Sequence, residues 1–282
     1  MSEDGVILLI DAGNTRVKFG WRRRSHSMRE PAILALGHAE LERLPEWLAT
    51  LPAVPDAAWG VSVAGAAVNT LVEHLLLPHR IPLRWIGSSD YAAGVTNLYE
   101  IPTQLGNDRW VSLIGLSGQT RDTAILASFG TATTVDTLGP LPSLSQASAD
   151  KDKQTAGRRF EGGIILPGPE LMRQSLARGT AGLPYAQGGS VAFPRNTHSA
   201  ISSGIAAAQA GAVVRQWRYT LATLGVAPQL YCSGGGWPLV ADEVSSALAQ
   251  AQADLGQPCA PPRWLEAPVL DGLATLAGQT AD

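Results

Sequence analysis

Two short stretches of the chain, IDAGNTRVKF at residues 10–19 and ASFGTATTVD at residues 127–136, repeat one pattern. Each follows an apolar run and has a glycine two residues past a reference position: Gly13 after Asp11, and Gly130 after Ser128. Small polar side chains come next, and then a second strand-like run. An apolar run, a glycine turn and a further alternating run spell a β-hairpin. Glycine at the tip lets the backbone approach another group closely and turn its N–H groups toward it. A chain that carries this device twice, each copy followed by helical patterns, is constrained to two related α/β halves.

The surrounding pattern agrees. Strands are expected at residues 6–10, 16–21, 31–37, 57–64 and 83–86, and helices at 41–51, 69–77 and 107–116. In the second half, strands are expected at 123–128, 133–138, 160–166 and 230–232, with helices at 169–178, 198–224 and 241–255. Residues 88–104 read as polar and irregular. Residues 139–157 carry almost no large apolar side chain and read as a mobile surface loop. A length of 282 residues exceeds the usual single core, and the break is placed near residue 117, giving domains 1–117 and 118–282.

Composition narrows the function classes. With 45% hydrophobic and 16% charged residues the chain has ample core material. The net charge is −3, and the one dense basic cluster, Arg22, Arg23 and Arg24, is too small for a nucleic-acid footprint and reads as a solvated loop. The first apolar run is too short for a signal peptide or a membrane span. Cys232 and Cys259 form no paired motif, and the histidines (26, 38, 74, 79 and 198) lack metal-ligand spacing. The expectation is a cytoplasmic protein with no nucleic-acid or membrane partner.

Phosphate is the natural ligand of a glycine nest. Gly13, Asn14 and Thr15, with Lys18 on the outgoing strand, supply one such turn, and Gly130, Thr131 and Thr134 the other. A tight hairpin alone would also explain a single DxGN turn. Asp11 ends an apolar strand, where a buried carboxylate is costly. Coordination of a Mg²⁺ that carries nucleotide phosphates would offset that cost. Neither GxxxxGK[ST] nor GxGxxG is present. Asn107 and Asp108 in LGNDRW open a helix, as caps or as a reactive carboxylate beside Arg109. Tyr99 by itself reads as a loop aromatic covering the core, and SGGG at 233–236 admits a flat adenine or enters a helix.

DxGNTxxK at 11–18, GxDRW at 106–110, GTAxTxD at 130–136 and GGxxxPG at 162–168 together resemble the type III pantothenate kinases. That family belongs to the acetate and sugar kinase, heat-shock chaperone and actin superfamily. The resemblance extends from residue 7 to about residue 275, with the motifs in order. It implies an α/β chain of two ribonuclease-H-like (actin-like ATPase) domains with a nucleotide cleft between them. It also implies a homodimer that uses ATP with Mg²⁺ to phosphorylate pantothenate to 4′-phosphopantothenate, the first step of coenzyme A synthesis.

By the same resemblance Asp108 accepts the proton of the attacking hydroxyl. Tyr99, Gly106, Asn107, Asp108, Arg109 and Thr180 meet pantothenate. Asp11, Ala12, Gly13, Asn14, Thr15, Arg16, Val17 and Lys18 hold ATP together with Thr131, with Asp11 taking Mg²⁺ through the nucleotide. Ser128 departs from the family, which commonly has Asp there to bind K⁺ or NH₄⁺. A neutral oxygen holds a cation less tightly than a carboxylate, so altered cation dependence is expected. Two other readings stand beside the kinase. One is a nucleotide-binding regulatory protein of the Bvg accessory factor type, and the other a kinase of the same fold for another alcohol.

Overall fold

Val6–Ala12 (β1) is apolar except for Asp11 because it is a central strand with both faces covered. A computed structural model describes residues 5–141 and 157–279 and shows two compact units. The first holds the described residues up to Thr120, residues 157–159, and the segment from Ala267 onward; the second holds Arg121–Leu141 and Phe160–Glu266. The first unit's opening segment runs to Thr120, against a break expected near residue 117. The closing segment, expected in the second domain, packs in the first. Most of the loop expected at 139–157 lies outside the described residues.

In the first unit β1 pairs antiparallel with Arg16–Arg23 (β2), which pairs antiparallel with Leu34–Gly37 (β3). On its other side β1 runs parallel to Ala57–Ser62 (β4), and β4 parallel to Leu83–Trp85 (β5). The sheet order is β3-β2-β1-β4-β5. One face buries Leu8, Ile10, Val17 and Phe19 against Leu44–Leu48 (α1) and Ala66–Leu76 (α2).

The other face of this sheet is met by Asn107–Ser117 (α3) and Pro268–Gln279 (α7). From Arg109 to Leu116 every residue of α3 is buried. Burial of Leu113, Ile114 and Leu116 contributes ~1.5–3 kcal/mol each. The two helices touch backbone to backbone: a Cβ on Gly115 would collide with Pro268, and one on Gly272 with Val111.

The second unit repeats the topology. Ala124–Phe129 (β8) pairs antiparallel with Ala132–Leu138 (β9), and β9 antiparallel with Arg158–Pro167 (β10). On its other side β8 runs parallel to Gln229–Ser233 (β11), and β11 parallel to Arg263–Trp264 (β12). Pro169–Gly179 (α4), Thr197–Leu224 (α5) and Ala241–Asp254 (α6) complete it. Phe129, Val135, Trp217, Val244 and Leu248 form its core. Asn196 caps α5 by accepting from the Ser199 N–H at 2.9 Å, and Gly225, at φ +70°, ends it.

Two sequence expectations are corrected. The stretch 88–104 is not wholly irregular: Tyr91–Ala92 (β6) and Val95–Asn97 (β7) form a small hairpin. Its tip residues Ala93 and Gly94 both have positive φ, the geometry of a tight hairpin turn, and AAG carries no Asn-Gly signal to betray it. Arg22 is not in a solvated loop. It is buried in β2 and donates to the Ala274 carbonyl at 2.6 Å and the Arg24 carbonyl at 3.0 Å, which ties α7 to the sheet. Burial pushes its pKa down. Among the described residues no helix is long and apolar enough to cross a membrane.

Candidate active site

Asp11 lies near the end of β1 directly opposite Lys18 on β2. Its carboxyl is pushed up to about 6, chiefly by desolvation; Lys18 opposes the shift and the negative charge of Asp108 adds to it. The two carboxylates, nearly a hundred residues apart in sequence, therefore feel one another within the first unit. A carboxylate this reluctant to ionise is relieved by a cation placed beside it. One carboxylate together with substrate phosphates is the usual protein share of a Mg²⁺ site, so the residues present fit a Mg²⁺ carried by nucleotide. No group of three or more metal-ligating side chains occurs among the described residues.

The β1–β2 tip is the first glycine turn. Gly13 N–H donates to the Arg16 carbonyl at 3.1 Å, which closes the turn. Asn14, Thr15 and Arg16 are exposed, whereas Ala12 and Val17 are part of the core. Those last two therefore have only backbone groups to offer a ligand. His38, which follows β3, places Nε2 2.9 Å from the Gly13 carbonyl.

Asp108 and Arg109 sit in the first turn of α3, where the helix dipole favours the carboxylate. Asp108 Oδ1 accepts from the Arg109 N–H at 2.8 Å. A Cβ on Gly106 would crowd that oxygen at 2.9 Å, so glycine leaves it room. Asn107 Oδ1 accepts from the Ser88 N–H at 2.9 Å and from its hydroxyl at 3.2 Å. This oxygen is thus committed to fixing the helix entry. Arg109 is buried and donates to the Tyr99 hydroxyl at 2.9 Å, with its guanidinium carbon 5.7 Å from the ring centroid. Buried Asn97 holds the loop that presents Tyr99, accepting from the Tyr99 N–H at 3.0 Å and donating to the Ser89 and Pro102 carbonyls. The first unit thus brings together Asp11, Lys18 and Asp108, and pairs Tyr99 with Arg109. Sequence reasoning missed His38, Ser88 and Asn97, whose partners lie in distant or loop segments that carry no periodic signal.

In the second unit Gly130 N–H donates to the Ala132 carbonyl at 3.0 Å, the counterpart of the Gly13 turn. Gly168 N–H donates to the Thr131 carbonyl at 2.9 Å, and Gly236 N–H to the Phe129 carbonyl at 2.8 Å. A Cβ on Gly168 or Gly234 would strike the backbone of this tip. Of the SGGG glycines, Gly234 and Gly236 are thereby explained by packing on Phe129, whereas a Cβ on Gly235 would meet nothing. Ser128 stands in register between Ser233 of β11 and Thr134 of β9, a row of neutral hydroxyls with no carboxylate. Thr180 follows α4; its hydroxyl donates to the Leu176 carbonyl at 2.8 Å and accepts from the Leu183 N–H at 3.2 Å.

The sheet topology defines an α/β chain of the actin-like ATPase and sugar kinase fold. A solved chain of the MamK double helical filament shares that fold with a TM-score of 0.51 at 10% identity, covering 98% of this chain and 99% of its own. Residues 7–219 match the family described as type III pantothenate kinase. A type III pantothenate kinase from Bordetella petrii is 49% identical over 277 residues, 97% of this chain and 98% of its own length. Its counterpart from Bordetella pertussis is 44% identical over 281 residues, 98% and 99% of the two chains. The chain belongs to the type III pantothenate kinase family.

Proposed function

We propose that this chain phosphorylates pantothenate at the expense of ATP, giving 4′-phosphopantothenate, the opening step of coenzyme A synthesis. The observation that carries the reading is the placement of Asp108 and Arg109 in the first turn of α3, with Arg109 donating to the Tyr99 hydroxyl. Asp108 receives the proton of the attacking hydroxyl. Its orientation is set by the Arg109 N–H and by the buried helix beneath it. Arg109, steadied by Tyr99, is suited to hold the substrate carboxylate. The exposed N–H groups of the first turn serve the phosphates, and Lys18 offsets their charge. Thr131 of the second tip assists the nucleotide, and Thr180 and Asn107 complete the family's set of pantothenate contacts. Bound through the nucleotide beside Asp11, Mg²⁺ supplies charge neutralisation. Phosphoryl transfer depends mostly on such positioning and charge neutralisation, so a modest base is sufficient.

The regulatory reading is less well supported. Asp11, Asp108, Arg109 and Thr131 all match the kinase motifs, and a net charge of −3 weakens the case for direct nucleic-acid binding. A cytoplasmic location and a homodimer remain part of this proposal. The exposed Gly204, Ala207, Ala208 and Gly211 face of α5 suits close approach of a second copy. With Ser128 in a row of hydroxyls, activation by K⁺ or NH₄⁺ is expected to need more cation than a carboxylate site would. Substitution Ser128→Asp should lower the half-activating concentration.

A coupled ADP assay with pantothenate tests the function. Asp108→Asn should lower turnover at least ~100-fold with an unchanged melting temperature. Wild-type turnover that the variant matches would remove Asp108 from its role, and no wild-type turnover under any cation would remove the function.

A further inference from the structure

We propose that His38 is a positioning residue for the nucleotide: it fixes the direction of the backbone donors in the Gly13 turn. The inference rests on the reading of that turn as phosphate-facing. His38 arrives there because β3 pairs with β2, with Gly37 opposite Arg16 at the hairpin tip. The chain leaves β3 directly into a short 3₁₀ helix, His38–Arg43. Glu40 Oε2 accepts from the Gly37 N–H at 3.1 Å and anchors the start of that helix. The imidazole is then held 2.9 Å from the Gly13 carbonyl.

A carbonyl oxygen only accepts, so Nε2 carries the hydrogen of this bond. The peptide linking Gly13 to Asn14 is planar, with its C=O and N–H pointing in opposite directions. Holding the Gly13 oxygen on the His38 side therefore turns the Asn14 N–H away from it. The preceding peptide is set independently, since the Gly13 N–H is spent on the Arg16 carbonyl at 3.1 Å. Without His38 the Gly13–Asn14 peptide can rotate, because glycine tolerates both orientations. A donor that must be ordered during binding lowers affinity. His38 bears on the Gly13 turn, whereas Tyr99 is held by Asn97 and Arg109, so its effect should fall on nucleotide and not on pantothenate.

The test is calorimetric binding of Mg·ADP to wild type, His38→Ala and His38→Gln, with steady-state constants for ATP and pantothenate. In Gln the amide nitrogen lies as many bonds from Cβ as Nε2 does in His, so it can restore the donor. His38→Ala should bind Mg·ADP ~10-fold more weakly and raise the KM for ATP alike, with an unchanged KM for pantothenate. His38→Gln should recover to within about threefold of wild type. Equal Mg·ADP affinity in wild type and His38→Ala would overturn the positioning role and leave the proposed function standing. So would an equal rise in both KM values, or a failure of Gln to recover. No Mg·ADP binding by wild type would overturn the nucleotide reading itself.

Discussion

Both hairpin tips turn on a glycine, but they differ in closure and in support: the Gly13 N–H donates to the carbonyl three residues on, the Gly130 N–H to the carbonyl two residues on. The first, at Gly13, is held by one side chain, His38, and a Cβ on Gly13 would meet nothing closer than the Arg16 carbonyl at 3.3 Å. The second, at Gly130, is held by the backbones of Gly168 and Gly236, with Gly234 packed on Phe129. The residues of the second tip are themselves exposed, but its bracing glycines, Gly168 and Gly234, leave no room for an added atom. A tip braced by a side chain is separable from the fold and can be tuned for ligand. The charged residues follow the same division: Asp11, Lys18 and Asp108 gather at the first tip, while the second has a row of hydroxyls.

The contrast is best broken at Gly234. Its φ is +95° and its Cβ would enter the Phe129 backbone, so Gly234→Ala should cost about 3 kcal/mol of unfolding free energy in urea. A change below ~0.5 kcal/mol would mean that the second tip is not braced by this packing.

Asp11→Asn should act in the opposite sense at the first tip. A carboxyl raised to about 6 in the folded state favours folding at low pH and loses that contribution as pH rises through about 6. Above this range the ionised group costs the ligand-free protein about 3 kcal/mol. Asn removes the cost, so the variant should be more stable than wild type at pH 8 and no different near pH 4. It should also lose Mg·ATP turnover. Melting curves across pH check this, and a variant less stable at pH 8 would refute it.

His38→Ala should be the mildest for folding, within about 1 kcal/mol of wild type, because it removes one part-exposed hydrogen bond. Its effect belongs in nucleotide affinity. Unfolding free energies for the three variants in this order would establish that the second tip holds the fold and the first serves the ligand.

Much of this was legible in the residues. The paired glycine turns announced two hairpins, and their flanking runs placed β1, β2, β8 and β9 to within two residues at each end. GNDRW marked the start of α3, and Asp108 and Arg109 lie in its first turn. The C-terminal helix α7 was not read, nor was its return to the first unit. Its partner surface on α3 depends on Gly115 meeting Gly272, two glycines far apart in the chain that carry no pattern in common. Arg22 looked like one member of a surface charge run, because only the fold brings the Ala274 carbonyl to it. Ser88 and Asn97 are ordinary loop polar residues until their partners appear.

The sequence by itself determined the two α/β halves, the paired glycine turns, the helix that carries Asp108 and, through four ordered motifs, the family. These are local properties, written in periodicity, glycine placement and short spacing. Only the tertiary structure decided that Asp11 feels Asp108, that Arg109 is steadied by Tyr99, and that His38 grips Gly13. Burial, charge coupling and hydrogen bonding between distant segments depend on which strands pair and which helices cross. Those choices are made by the packing of the whole unit, not by any one stretch of chain.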